Sequence, residues 1–207
     1  QAEVVTDNTV LTQEETKEIV AYANLYHVEI IPSFDSPGHM NYIVKMFNEK
    51  CAKQDYSFAY NGKTYTAEAG SEIGNYFHYN GKTTIVKGSR NTYYSRGIDI
   101  SNEVAVAFTR SLIEEYATLF YELGCRKFDI GGDELLGWGS AVTSNVSRWK
   151  QLDHWKDYAY NRAKAEGKAN YASTVAYDGF MYYMNDLNDL VRSLGYNSVR
   201  MWNDDVL

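Results

Sequence analysis

The chain has 207 residues, with 20 Lys and Arg against 27 Asp and Glu, for a formal net charge of -7. That length can bury a substantial core and suits one domain or part of one, while the acidic balance, with no basic cluster, argues against binding a phosphate backbone, so no nucleic-acid partner is expected. No apolar run reaches the roughly 18 residues of a membrane-crossing helix, and the opening QAEVVTDNT lacks the basic and apolar parts of a signal peptide.

The first predicted element begins at Thr12. Glu15 lies where a capping box needs it, and Ile19, Val20, Ala23 and Tyr26 recur on one helical face. Val28 to Pro32 then reads as a short buried strand, and SFDSPGH turns the chain at Pro37 and Gly38. From Asn48 to Arg96 the texture changes. YNGKTYTAEAG and YNGKTTIVKG each set an Asn-Gly pair between Tyr- and Thr-rich runs, which predicts a β-hairpin-rich insertion over residues 48–96.

After a brief extended piece at Ile98 to Ile100, a helix is predicted from Glu103 to Leu123. It turns Val106, Phe108, Leu112, Ile113, Tyr116, Leu119, Phe120 and Leu123 inward. Gly124 stops it, and a strand follows at Lys127 to Ile130. The cycle returns in AYDGFMYYMNDLNDLVRSLGYNSVRMWNDD, with a helix to Leu194, Gly195 as its stop and a strand from Ser198 to Trp202. This order predicts parallel strands, right-handed crossovers and a site at the strands' carboxyl ends. A doubly wound sheet shares the local pattern, but no Gly-x-Gly-x-x-Gly loop follows a strand and no P-loop is present.

Polar groups collect after the strands: Asp35 and His39, then Asp133 and Glu134 in KFDIGGDELLGWG, then Asn203, Asp204 and Asp205. Adjacent carboxylates in a pocket cannot both keep ordinary proton affinity, because desolvation and mutual repulsion each favour a neutral form. One can stay charged while the other holds a proton, the division that acid catalysis needs. The simpler reading is a solvated acidic turn after a glycine stop.

A metal site built from Asp35, His39, Asp133, Glu134 and Asp204 is the main rival. No His-x-x-x-His or Cys pair supports it, so neither metal nor cofactor is expected. His27, His78 and His154 read as strand-entry, insertion and surface-helix residues. Cys51 and Cys125 show no metal-ligand spacing and permit one disulfide or none, with Cys125 expected as a buried thiol.

IIPSFDSPGHM resembles the strand-two motif Pro-x-x-Asp-x-Pro-Gly-His of glycoside hydrolase family 20, DIGGDE resembles its Gly-Gly-Asp-Glu motif, and RMWNDD is similar to its Trp-x-Asp strand. Together, in this order, they cover nearly all of the chain outside the insertion. The resemblance implies an α/β fold, a partial (β/α)8 TIM barrel with a hairpin-rich insertion. Residues 1–207 would supply approximately strands two to five, and the rest of the barrel would lie elsewhere in the parent protein. It also implies an extracellular or cell-surface setting and β-linked N-acetylhexosamine-containing oligosaccharides as partners.

In the roles so implied, the substrate's acetamido oxygen is the nucleophile, an exception to the usual two-carboxylate scheme. Glu134 is the general acid and then the base, and Asp133 holds the acetamido group. Asp35 and His39 support Glu134, Trp202 walls the acetamido pocket, and Asp204 lies near its rim. Asp129 stands where the family often has His.

GGDELLGWGSAV, SFDSPGHMNYIV and SVRMWNDD most resemble the lacto-N-biosidase branch, which releases Galβ1-3GlcNAc. An exo-β-N-acetylhexosaminidase releasing terminal GlcNAc or GalNAc, and a non-catalytic carbohydrate-binding domain, are the alternatives. Tyr93 and Trp138 are candidate sugar-stacking rings, with plain packing the simpler reading.

Overall fold

The structure is a computed structural model that describes residues 10–79, 82–85, 97–135 and 149–202. Its first element is helix α1 (Gln13–Leu25). The Thr12 hydroxyl accepts the Glu15 N–H at 3.1 Å, and the Glu15 carboxylate accepts the Thr12 N–H at 2.7 Å, so the predicted capping box is closed.

Strand β1 covers Ser33–Ser36 and leads through a polar loop into α2 (Asn41–Cys51). Two antiparallel hairpins follow, β2 (Tyr56–Tyr60) with β3 (Lys63–Ala67), and β4 (Tyr76–Tyr79) with β5 (Lys82–Ile85). Then come α3 (Glu103–Glu122), β6 (Lys127–Gly131), α4 (Asp153–Ala165), α5 (Ala176–Ser193) and β7 (Ser198–Arg200).

Strands β1, β6 and β7 form one parallel sheet in the order β1-β6-β7. Ser33 pairs with Asp129 and Ser36 with Gly131, so β1 has one more residue than β6 over that interval and bulges just before the polar loop. β6 is the central strand, which buries Phe128 and Ile130. Helix α5 packs on it through Phe180, Tyr183, Met184 and Leu187, all buried in one apolar cluster with Ile113, Ala117 and Phe120 of α3. Of the α3 residues expected inward, Phe108, Ile113 and Phe120 are buried and the others are partly buried.

The first hairpin closes as predicted. Asn61 and Gly62 have φ of 49° and 73° between the paired Tyr60 and Lys63, the backbone that an Asn-Gly turn favours. Tyr56 and Phe58 of this hairpin pack edge-on against Phe108 of α3, and Lys63 pairs with Glu103 at the start of that helix. The Asn80-Gly81 turn lies outside the described residues, between strands that pair in register from Tyr76 with Ile85 to Tyr79 with Lys82.

Three local expectations are corrected. The segment from Val28 to Pro32 is not a buried strand: β1 begins at Ser33 and Val28 is exposed. Its neighbour β6 reaches it only from Pro32, whose carbonyl accepts the Asp129 N–H at 2.9 Å, so the earlier residues lack a ladder partner. On α1 only Val20 is buried, while Ile19, Tyr22 and Tyr26 face solvent, because nothing among the described residues covers that flank of the edge strand.

The brief extended piece at Ile98 makes an isolated antiparallel bridge with Gly74, in keeping with its reading from the sequence. His154 is not a surface residue: its ring is largely buried and stacks on Tyr76 with centroids 4.2 Å apart. Cys51 and Cys125 are both free and buried, and no helix among the described residues is long and apolar enough to cross a membrane.

Candidate active site

Three segments converge at the carboxyl end of the central strand. β1 delivers Asp35, the following loop delivers His39, and the turn after β6 delivers Asp133 and Glu134. The His39 ring brings them together, with Nε2 3.3 Å from Asp133 Oδ2 and 3.4 Å from Glu134 Oε2. Residues adjacent in sequence therefore project their carboxylates to the same imidazole nitrogen. A hydrogen or positive charge there relieves the repulsion between them.

The backbone achieves this through unusual torsions. His39 and Glu134 have φ of 53° and 45°, in the left-handed region that side chains other than Asn and Asp rarely visit. Each such residue costs about 1–2 kcal/mol, and strain of this kind is held where a particular side-chain direction is needed. Gly131 precedes the turn with φ of 73°, and a Cβ there would lie 2.5 Å from Asp35 Cα. Gly38 is equally close packed, since a Cβ would lie 2.8 Å from the Asp133 carbonyl oxygen. The glycines that flank the motifs therefore allow the two acidic loops to touch.

Asp35 sits behind this pair. Burial lifts its carboxyl above the ordinary range, the neighbouring Asp133 charge lifts it further, His39 opposes the rise, and Asp129 adds to it. Asp35 Oδ1 and Asp133 Oδ1 are both buried without a hydrogen-bond partner among the described residues. Asp129 turns its own Oδ1 to the Gly131 N–H at 2.9 Å, which pins the end of β6.

Trp202 follows β7, and its backbone N–H donates to the Gly131 carbonyl at 2.9 Å, which brings the chain after β7 to the same strand end. Its side chain is half exposed, at 52%. Asp204, with Asn203 and Asp205, lies outside the described residues, as do Tyr93 and Trp138.

One supporting contact was not foreseen. The Tyr183 hydroxyl donates to Ser36 Oγ at 2.9 Å, directly beside Asp35, and burial pushes this phenol well above its ordinary range. The signal existed: Tyr183 falls on the inward face of α5, where a buried hydroxyl requires a partner.

The arrangement gathers two carboxylates and an imidazole at one partly exposed strand end. A cleft of about 590 Å³ between α1, β1, α2 and α3 is lined by Ile19, Val20, Phe34, Ile43 and Tyr116 and contains none of these site carboxylates. Chemistry therefore locates the site where volume does not. Among the described residues, no group of three or more His, Cys, Asp or Glu side chains is arranged to hold a metal ion.

Comparison with known proteins agrees with the motifs. The sequence pattern of "Glycosyl hydrolase family 20, catalytic domain" matches residues 2–207. A lacto-N-biosidase of Bifidobacterium bifidum is 24% identical over 196 residues, covering 95% of this chain and 13% of that protein. A beta-hexosaminidase of Vibrio vulnificus is 31% identical over 133 residues, covering 63% of this chain and 14% of that protein. The chain thus spans a small part of the curated relatives it matches. In fold, the chitobiase of Flavobacterium johnsoniae superposes with a TM-score of 0.54 at 19% identity, covering 99% of this chain and 24% of that one.

Proposed function

The chain belongs to glycosyl hydrolase family 20, and from that premise we propose that it carries the catalytic carboxylates of a retaining, substrate-assisted glycosidase acting on β-linked N-acetylhexosamines. The observation that carries this reading is the single imidazole nitrogen of His39 facing both Asp133 and Glu134. Such a group orients two carboxylates toward different atoms of one substrate.

In the proposed reaction the acetamido carbonyl oxygen of the bound sugar attacks its own C1. Glu134 gives its proton to the departing glycosidic oxygen as the C1–O bond breaks. Asp133 accepts the acetamido N–H and balances the positive charge that grows as the oxazoline ring closes. Glu134, now a carboxylate, takes a proton from water. The water oxygen bonds to C1, the ring opens, and two displacements leave the anomeric configuration retained.

Asp35, pressed against Gly131, acts from behind the pair, and the Trp202 indole closes one side of the acetamido pocket. Asp204 is assigned to the rim. Positioning the nucleophilic oxygen in this way replaces a bimolecular encounter with an internal one.

For the product, we favour release of the disaccharide Galβ1-3GlcNAc, on the extended likeness of all three motifs to the lacto-N-biosidase branch and the match of 95% of the chain to such an enzyme. Release of a single terminal N-acetylhexosamine is the second reading, supported by the Vibrio relative. We further assign the chain to an arc of a (β/α)8 barrel, with residues 48–96 inserted in it. The exposed apolar side chains of α1 and the open edge of β1 suit contact with further parts of a longer parent protein. An extracellular or cell-surface setting fits such substrates.

The test is incubation of the native polypeptide containing this chain with lacto-N-tetraose and, separately, with a terminal β-GlcNAc oligosaccharide. Products are identified by mass and chromatography. Intact Galβ1-3GlcNAc together with lactose is the expected result. Cleavage of terminal GlcNAc alone moves the assignment to the monosaccharide-releasing enzyme, and binding without any cleavage overturns the glycosidase reading.

A further inference from the structure

Away from the carboxylates, a buried polar cluster joins elements that the sequence leaves far apart. Asp99 Oδ1 accepts the Ser101 N–H at 2.9 Å, the Ser101 hydroxyl at 2.7 Å and the Trp155 indole N–H at 3.0 Å. His154 Nε2 lies 3.5 Å from the same oxygen and 3.3 Å from Asn75 Oδ1. The Tyr76 N–H donates to Asn75 Oδ1 at 2.9 Å, which fixes that oxygen as an acceptor. Both atoms facing Nε2 are therefore acceptors, and His154 Nε2 carries a hydrogen. The other ring nitrogen, Nδ1, lies 3.7 Å from Asp153 Oδ1, and the ring face is covered by Tyr76.

This cluster is tied to the catalytic loop by backbone. The Asn75 N–H donates to the Gly97 carbonyl at 2.7 Å, the Asp99 N–H to the Ile73 carbonyl at 2.9 Å, and the Ile98 N–H to the Pro37 carbonyl at 3.0 Å. Gly97 lies so close that a Cβ there would stand 2.4 Å from the Pro37 carbonyl oxygen and 3.2 Å from Leu135 Cδ1. Pro37 is two residues from His39, and Leu135 directly follows Glu134. The strip from Gly97 to Asp99 thus has the loop that presents His39 on one side and the first turn of α4 on the other.

Resting on the glycosidase reading above, we infer that Asp99 and His154 form a latch of positioning residues. They hold the Gly97–Ile98 strip against Pro37 and thereby set the approach of His39 to Asp133 and Glu134. Neither residue touches the reacting atoms in this scheme. Their role is to keep the left-handed turn at His39 from relaxing. A shift there of about 1 Å is enough to cost on the order of 100-fold in turnover.

His154→Phe keeps a ring over Tyr76 and removes the Nε2 hydrogen. Asp99→Asn keeps an oxygen for Ser101 and Trp155 and removes the charge, and it decides the matter if the first variant fails to fold. Both are made in the native polypeptide containing this chain. The expected result is a fall in kcat of about 10- to 100-fold on the aryl β-glycoside, of Galβ1-3GlcNAc or of GlcNAc, that the wild type cleaves, with KM changed by less than about twofold. The His39 ring resonance, identified in proton–carbon NMR by its loss in His39→Gln, shifts in parallel. A lowered melting temperature with unchanged kcat and an unmoved His39 resonance overturns the latch, because a purely structural role predicts that pattern. A wild-type protein that cleaves neither aryl β-glycoside overturns the glycosidase reading instead, and the His39 resonance then decides the latch by itself.

Discussion

Gly131→Ala tests the contact on which the two acidic loops depend. The new Cβ would stand 2.5 Å from Asp35 Cα and 2.8 Å from the Ser36 nitrogen, both backbone atoms of β1. Carbon atoms pack at about 3.5 Å, so β1 has to retreat by about 1 Å. The left-handed φ of 73° adds a conformational penalty of about 1–2 kcal/mol for alanine. Overpacking against backbone adds about 1–3 kcal/mol. The expected loss is therefore about 2–5 kcal/mol, a large share of the roughly 5–15 kcal/mol that stabilises a typical domain.

Because Asp35 borders Asp133, the same retreat is expected to lower kcat on the order of 100-fold. Gly132→Ala is the control. Its φ of 94° is as strained, but its Cβ would meet Met184 Cε at 2.9 Å, the tip of a flexible side chain. That variant is expected to lose only the conformational part, about 1–2 kcal/mol. Urea unfolding and turnover of the aryl β-glycoside, of Galβ1-3GlcNAc or of GlcNAc, that the wild type cleaves, measured on both variants in the native polypeptide, give the comparison. Equal losses in the two, or wild-type turnover in Gly131→Ala, refute the reasoning.

Glu134→Gln is expected to reduce hydrolysis of substrates with poor leaving groups by about 100- to 10,000-fold and to spare activated aryl glycosides in part. Equal, small losses across leaving groups count against its role as the acid. Asp133→Asn is expected to slow even an activated substrate, since the acetamido oxygen displaces every leaving group, good or poor, in the same step; trapping a sugar ester on Asp133 by mass spectrometry rules the scheme out. Burial and the Asp133 charge raise the Asp35 carboxyl, so the native state binds more protons than the unfolded chain just above the ordinary Asp range, and stability falls as pH rises from there to the raised value. In Asp35→Asn this contribution is absent, and unfolding free energies measured across that window should decline less than in the wild type. Parallel curves contradict the assignment.

Much of the site was legible in the sequence because local chemistry wrote it there. Pro37-Gly38 and Gly131-Gly132 announced sharp turns at strand ends, and Asp133 beside Glu134 demanded an explanation of its own. Likewise Asn61-Gly62, the Thr12 cap and the apolar periodicity of α3 depend on residues within a few positions of one another. What was misread depended on distant neighbours. Among the described residues Val28 has no ladder partner and no layer covers Ile19 and Tyr26, and His154 is buried because Tyr76, Asn75 and Asp99 arrive from other parts of the chain.

The sequence by itself determined which titratable side chains stand at the strand ends, since turn torsions and strand alternation are set by near neighbours. Only the tertiary structure decided that His39 Nε2 faces both Asp133 and Glu134, that Asp35 is pressed on Gly131, and that a buried Asp99–His154 cluster abuts the catalytic loop. Those relations join residues from separate elements. They follow from the packing of α3, α4 and α5 around the parallel sheet, which no local pattern encodes.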